Sequence, residues 1–211
     1  SLTTFDISPP PSPSISSISP SSGPTAGGTN ITITGANFTS NVDANTKLLL
    51  HADGTGASFV DSSQTPKTIT VYGGATQSAA QSKFGGKSAY FDGSGDYLTV
   101  PSSQDWNFSA GNFTIDWWEY RQSSTANVAS ILLGDGGPSS TSSWFIGYSD
   151  GTNLVAYITS GSGWDIASAK SFGAISMNQW VHLAIVRSGS TFYLFKNGQI
   201  TSTWTSSLAI N

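Results

Sequence analysis

The stretch NFTIDWWEYR (Asn112 to Arg121), followed later by QWVHLAIVRSGSTFYLFKNGQITSTW (Gln179 to Trp204), decides the fold class. Both are short runs rich in aromatic and β-branched residues that alternate along the chain and are punctuated by Gly, Asn and Ser. Such alternation predicts half-buried β-strands. In the first run, Phe113, Ile115 and Trp117 fall on one face and Trp118 and Tyr120 on the other. In the second, Trp180 to Arg187 and Thr191 to Lys196 flank Ser-Gly-Ser. Asn197-Gly198, a preferred hairpin turn because both central residues need positive φ, then leads into Gln199 to Trp204.

The same rhythm extends outward. Thr68 to Gly73, Ser88 to Gly93 and Asp96 to Pro101 read as strands, the last two joined by Gly93-Ser94-Gly95. VASILLGDG, SWFIGYSDG, NLVAYITSG and a weaker segment around Trp164 follow. Lys47 to Gly54 (KLLLHADG) reads as a buried strand running into a turn. No helix is predicted. Strands at this spacing, with turn residues between them, indicate an all-β sandwich or barrel. Ahead of them, Ser8 to Pro24 is Pro/Ser-rich and is expected to be extended and polyproline-like. It leads to a single strand, Thr29 to Thr34, ended by Gly35.

Composition narrows the function. Only 9% of the 211 residues are charged, against about 25% in an average domain, and Ser, Thr, Gly and Asn carry the polarity instead. A neutral, hydroxyl-rich surface suits extracellular, cell-surface or virion-surface proteins. Net charge is −4 and no basic run exists, so the electrostatic footprint of nucleic-acid binding is missing. Cysteine is absent, which excludes disulfides, thiol catalysis and Cys-ligated zinc. No apolar run is long enough for a membrane-spanning helix. The chain starts at Ser1 without Met or a signal-type segment, and is expected to be a processed product or a fragment.

The ordered pieces LLLHADG, DSS (Asp61 to Ser63), SKFGGKSAYFDGSGDYLTVP, NFTIDWWEYR, QWVHLAIVR and FYLFKNG resemble laminin-G-like domains of the concanavalin-A-like lectin/glucanase superfamily. The resemblance covers about residues 46 to 211 and implies a two-sheet antiparallel jelly-roll sandwich. It also implies that the usual C-terminal strands are lacking. ISPSSGPTAGGTNITITGANF resembles the opening of an IPT/TIG immunoglobulin-like domain that breaks off near Phe38, so residues 1 to 45 form an extended arm with one strand. Similar tandem arrangements occur in phage tail fibres, virion proteins and bacterial surface proteins. Two accounts of the incomplete sandwich stay open. Either the chain is part of a longer protein, or the Thr29, Asn30, Ile31, Thr32, Ile33, Thr34 strand fills the gap in its own subunit or a neighbour. Strand addition of the second kind, repeated head to tail, would build a filament.

Candidate sites follow from residue chemistry. The superfamily's glucanases carry Glu-x-Asp-x-x-Glu on a strand. Here Thr114 replaces the first acid, and Asp116 and Glu119, an odd number apart, point to opposite faces. Retaining hydrolysis needs two carboxyls about 5–5.5 Å apart on one face, so no catalytic residue is expected. His51 and His182 read as structural. Calcium, the one cofactor considered, would draw on turn carboxylates, with Asp53 and Asp92 the main contributors. A glycan ligand would need exposed rings, and Trp106, Trp144, Trp164 and Trp204 lie near strand ends. Asn30, Asn37, Asn107 and Asn112 begin glycosylation sequons. The resulting expectation is a non-catalytic structural or adhesive subunit of a filament, fibre or surface protein. The alternative is a carbohydrate-binding module.

Overall fold

A computed structural model describes residues 14–24, 29–36, 42–124, 128–133 and 144–211. The chain divides into two units, Ser1–Thr46 and Lys47–Asn211.

In the first unit, β1 (Ser14–Ser19) pairs antiparallel with β2 (Thr32–Ala36). This corrects the expectation of a polyproline-like stretch and a lone strand. Ile15 and Ile18 give the Ser-rich run enough β character to pair once a complementary strand is available. β2 also starts later than the alternation suggests and contains Gly35, which pairs with Ile15 beside a bulge between Ile15 and Ser17.

The second unit is an all-β sandwich. Its strands are β3 (Thr70–Tyr72), β4 (Thr76–Ser78), β5 (Ser88–Tyr90), β6 (Tyr97–Thr99), β7 (Phe113–Tyr120), β8 (Val128–Leu133) and β9 (Trp144–Tyr148). They continue with β10 (Asn153–Ile158), β11 (Ala167–Ala174), β12 (Trp180–Ser188), β13 (Thr191–Lys196) and β14 (Gln199–Thr205). One four-stranded sheet has the order β11-β10-β9-β8 and the other β14-β13-β12-β7. The inward residues of both meet in one core. Ile146, Leu154, Ala156, Ile158 and Phe172 come from the first sheet, and Val181, Leu183, Ile185, Phe192 and Leu194 from the second. The alternation of β7 behaves as read: Phe113, Ile115 and Trp117 pack on the core, while Asp116 and Trp118 are exposed.

Two local expectations, at Lys47 to Gly54 and around Trp164, are corrected. Lys47 to Gly54 is not a strand. It makes a single bridge, Leu50 to Asp61, because Asp61 Oδ1 takes the Leu49 amide (3.0 Å) that a ladder would otherwise use. β5 and β6, although joined by Gly93-Ser94-Gly95, do not pair with each other but with β4 and β3. The segment around Trp164 is the loop before β11. A 3₁₀ turn spans Gln104–Trp106, opened by the Ser103 hydroxyl accepting from the Asp105 amide.

The chain's last residues fold onto the sandwich. Ile210 bridges Ser109 and lies in the core, 5% exposed. The buried Arg187 fixes this segment by donating to the carbonyls of Ser206 (3.3 Å) and Leu208 (3.1 Å), and to that of Ser109 (2.9 Å).

Candidate functional site

Among the described residues, the arm presents the plainest exposed apolar surface. Every residue of β1 and β2 is exposed. Ile18 and Ile33 are direct cross-strand partners, and the bulge returns Ile15 to their side opposite Gly35. Ile31 continues the alternation two residues before Ile33. Four isoleucines, 48% to 60% exposed, therefore share one face of an uncharged ribbon. Of the predicted contact strand, Thr32, Ile33 and Thr34 lie in β2, and Thr29, Asn30 and Ile31 lead into it. The hydrogen-bonding partner of β2 is β1, in a sheet of two strands.

A second surface lies on the outer face of β7 and β12. Trp118 sits opposite His182, and their rings are 5.1 Å apart. His182 Nε2 is 3.0 Å from Asp116 Oδ2. The Lys83 ammonium stands 4.2 Å over the Trp118 ring, and Phe84 meets its edge. The sequence reading, whose candidate rings are Trp106, Trp144, Trp164 and Trp204, does not include this exposed grouping. Its signal is the Asp-x-Trp alternation on the polar side of β7.

The four tryptophans read as sugar platforms meet different fates. Trp144 is 7% exposed and belongs to the core, and Trp204 stacks on the core residue Phe192 (5.0 Å, 10° between planes). Both indole N–H groups are buried without a partner; Trp144 is buried whole, whereas Trp204 is half-buried, with the Lys170 ammonium 5.7 Å from its ring. The correction has one cause: both lie on strands facing the opposite sheet. Trp106 is held by its N–H on the Pro101 carbonyl (2.9 Å) with the Lys67 ammonium 5.0 Å over its ring, and Lys67 is itself paired with Asp105 at 2.8 Å. Trp164 packs against Tyr157 (5.2 Å), which faces away from the core and stacks near Phe145 (6.1 Å). This row of three half-buried rings is the outer-face feature that retains a predicted tryptophan.

The turn aspartates bind their own backbone. Asp92 accepts from Ser94 N (2.7 Å). Asp96 accepts from Asp92 N (2.8 Å) and from Gly74 N. Asp53 packs against Gly85, at whose position a Cβ would collide with it. Among the described residues, no three His, Cys, Asp or Glu side chains form a metal-ligating group. Asp61, 3% exposed, takes the amides of Leu49, Ser63 and Lys67 and the Ser63 hydroxyl. Burial pushes its pKa up, and these four donors outweigh that, leaving it below the usual value. Of the sequons, Asn30 and Asn107 are exposed. Asn112 is exposed and uses its Oδ1 to accept from Gly189 N (2.7 Å), and Asn37 lies outside the described residues.

Asp116 and Glu119 stand on opposite sides of β7, as their odd spacing requires. Asp116 is outside, whereas Glu119 points inward and accepts from Trp117 Nε1 (3.0 Å), Ser130 Oγ (3.2 Å) and Tyr148 Oη (2.5 Å). They cannot flank one glycosidic bond.

Comparison with known proteins agrees with this architecture. The Laminin_G_3 family model, described as concanavalin A-like lectin/glucanases superfamily, matches residues 92–210, more than half of the chain. The chain belongs to the concanavalin A-like lectin/glucanase superfamily. The IPT/TIG domain model matches residues 13–115, a span that begins in the arm and continues into this superfamily sandwich. A crystal structure described as HCR/D-Sa-GBL1/C is 15% identical with a TM-score of 0.53, covering 79% of this chain and 41% of that one. The chain thus spans less than half of that protein's length, and the likeness is one of fold. No curated protein matches. Among the described residues, no helix is long and apolar enough to cross a membrane.

Proposed function

We propose that the chain is a non-catalytic structural and adhesive module of an extracellular, cell-surface or virion-surface protein, and that its arm makes contact between subunits. The four-isoleucine face of the β1–β2 ribbon carries this reading. A two-stranded ribbon alone is marginal in water, and an uncharged apolar face invites a cover. Burying the remaining surface of a half-exposed isoleucine is worth about 1 kcal/mol, so four against four contribute roughly 8 kcal/mol. Association costs about 4–15 kcal/mol. A single arm contact is therefore weak, and repetition along a fibre is what makes it hold.

Sedimentation of the full chain beside the Ile18→Asp/Ile33→Asp variant tests the reading. Species larger than the 22.0 kDa monomer are expected for the wild type and monomer for the variant. A wild type that stays monomeric at high concentration sinks it.

A second reading, glycan binding by the sandwich, is favoured by the Trp164–Tyr157–Phe145 row. Loss of glycan retention in Trp164→Ala would support it.

A further inference from the structure

Two stacked tyrosine rings lie exposed beside a turn that neither reading uses. Tyr72 and Tyr97 are cross-strand partners at the end of β3 and β6. Their rings stack at 4.5 Å with 10° between planes, and they are 43% and 49% exposed. Parallel stacking covers one face of each ring, so the exposure falls on the outward faces and edges. Tyr90 and Phe91, 42% and 45% exposed, stand immediately before Asp92.

Asp96 ties these positions together. Its carboxylate accepts from Gly74, two residues after Tyr72, and from Asp92, next to Phe91, and it directly precedes Tyr97. Gly73 completes the knot at φ +67°, where a Cβ would collide with Asp96 and the Gly95 carbonyl. The rings are thus mounted on a turn with little freedom, and fixing them on binding costs little entropy.

We infer that the Tyr72–Tyr97 stack is a binding site for the apolar face of a neutral sugar ring. The choice of ligand rests on chemistry. Flat exposed rings with phenolic hydroxyls accept either nucleobases or sugar rings. The chain's net charge of −4 and lack of a basic run remove the phosphate-binding component that nucleic acids require. The carboxylates at the knot accept from backbone amides, and so favour an uncharged ligand that offers hydroxyl donors. Aromatic faces are electron-rich and attract the weakly positive C–H groups of a pyranose. The inference deepens the glycan-binding reading and moves its site from Trp164 to the tyrosine knot.

The test is affinity electrophoresis of the full chain through gels containing soluble neutral polysaccharides: a mixed-linkage β-glucan, a galactomannan and a dextran. Retardation by at least one is expected. Tyr72→Ser and Tyr97→Ser should weaken it at least tenfold, with unchanged far-ultraviolet circular dichroism, while Tyr72→Phe keeps it. Should a serine variant fail to fold, nitration by tetranitromethane decides on the wild type, where the retarding polysaccharide must protect Tyr72 and Tyr97. Retardation that survives the tyrosine variants but is lost in Trp164→Ala overturns this site and leaves the glycan reading standing. Retardation by none of the three polysaccharides overturns both, without touching the arm-mediated contact.

Discussion

The Tyr148 hydroxyl donates to Glu119 Oε1 at 2.5 Å, joining β9 of one sheet to β7 of the other through the interior of the sandwich. The Arg121 guanidinium lies 3.4 Å from the Tyr148 ring centroid and donates to the Gly151 carbonyl (2.9 Å). Burial, then the neighbouring Glu119 charge, push the phenol far above its ordinary pKa, so it remains a donor at any working pH. The acid nearest to a glucanase motif is thereby a structural tie. Glu119→Ala should destabilise the fold by roughly 2–4 kcal/mol, because it strands the Tyr148 and Trp117 donors, and Glu119→Gln by less. Urea denaturation measures both, and an unchanged midpoint in the alanine variant would refute the tie.

Acid should weaken the protein below about pH 4. The pKa values of Asp61 and Asp150 lie below normal in the fold, Asp150 at about 2 through hydrogen bonds led by the Asn153 amide. A depressed carboxylate stabilises fully above its unfolded value of about 3.9. That contribution is lost as pH falls through the lower folded value. Melting temperature should drop between pH 4 and 2 more steeply in the wild type than in Asp61→Asn. Parallel curves would refute the assignment.

Arg187 is 2% exposed and stacks 4.8 Å from the Phe192 ring while donating to four carbonyls, those of Gly189, Ser109, Ser206 and Leu208. Arg187→Met keeps the stem's packing and removes the donors. A loss of about 3 kcal/mol is expected. The Ile210 and Asn211 amides, bonded to Ser109 and Thr159, should then exchange hydrogen much faster than the strand amides. Equal protection of those two amides in wild type and variant would contradict the anchoring role.

Chelation should not move the melting temperature. The Asp61, Asp92, Asp96 and Asp150 carboxylates are occupied by backbone amides, and the fold can use them without a cation. A drop on adding EDTA, reversed by calcium, would point to a bound cation, with Asp53 and Asp92 as the candidate ligands.

The strands that face the core were legible because burial on one side imposes a period of two, and β7, β12, β13 and β14 follow it closely. The Lys47 to Gly54 segment misleads for the opposite reason. Its three leucines look like a strand, yet Asp61, twelve residues beyond Leu49, captures the backbone that pairing needs. Ser14 to Ser19 misleads because pairing with Thr32–Ala36 depends on a distant partner and a bulge. The tryptophans show a further limit. Alternation gives the side of a strand but not which side meets the other sheet, so Trp144 reads as a platform and lies inside, and Trp204 packs half-buried against the core. The Tyr72–Tyr97 stack is invisible in sequence because β3 and β6 are separated by a second strand pair, β4 and β5.

The turn aspartates carry a consequence for how this molecule meets anything else. Several of its few carboxylates are held in loops by backbone amides, and with only 9% of residues charged and a net charge of −4 the field it projects toward approaching molecules is weak. Encounters should therefore proceed at diffusive rates without long-range guidance, and should change little between fresh water and brine. Such a surface holds by contact, and ionic strength is a poor lever for prising it off.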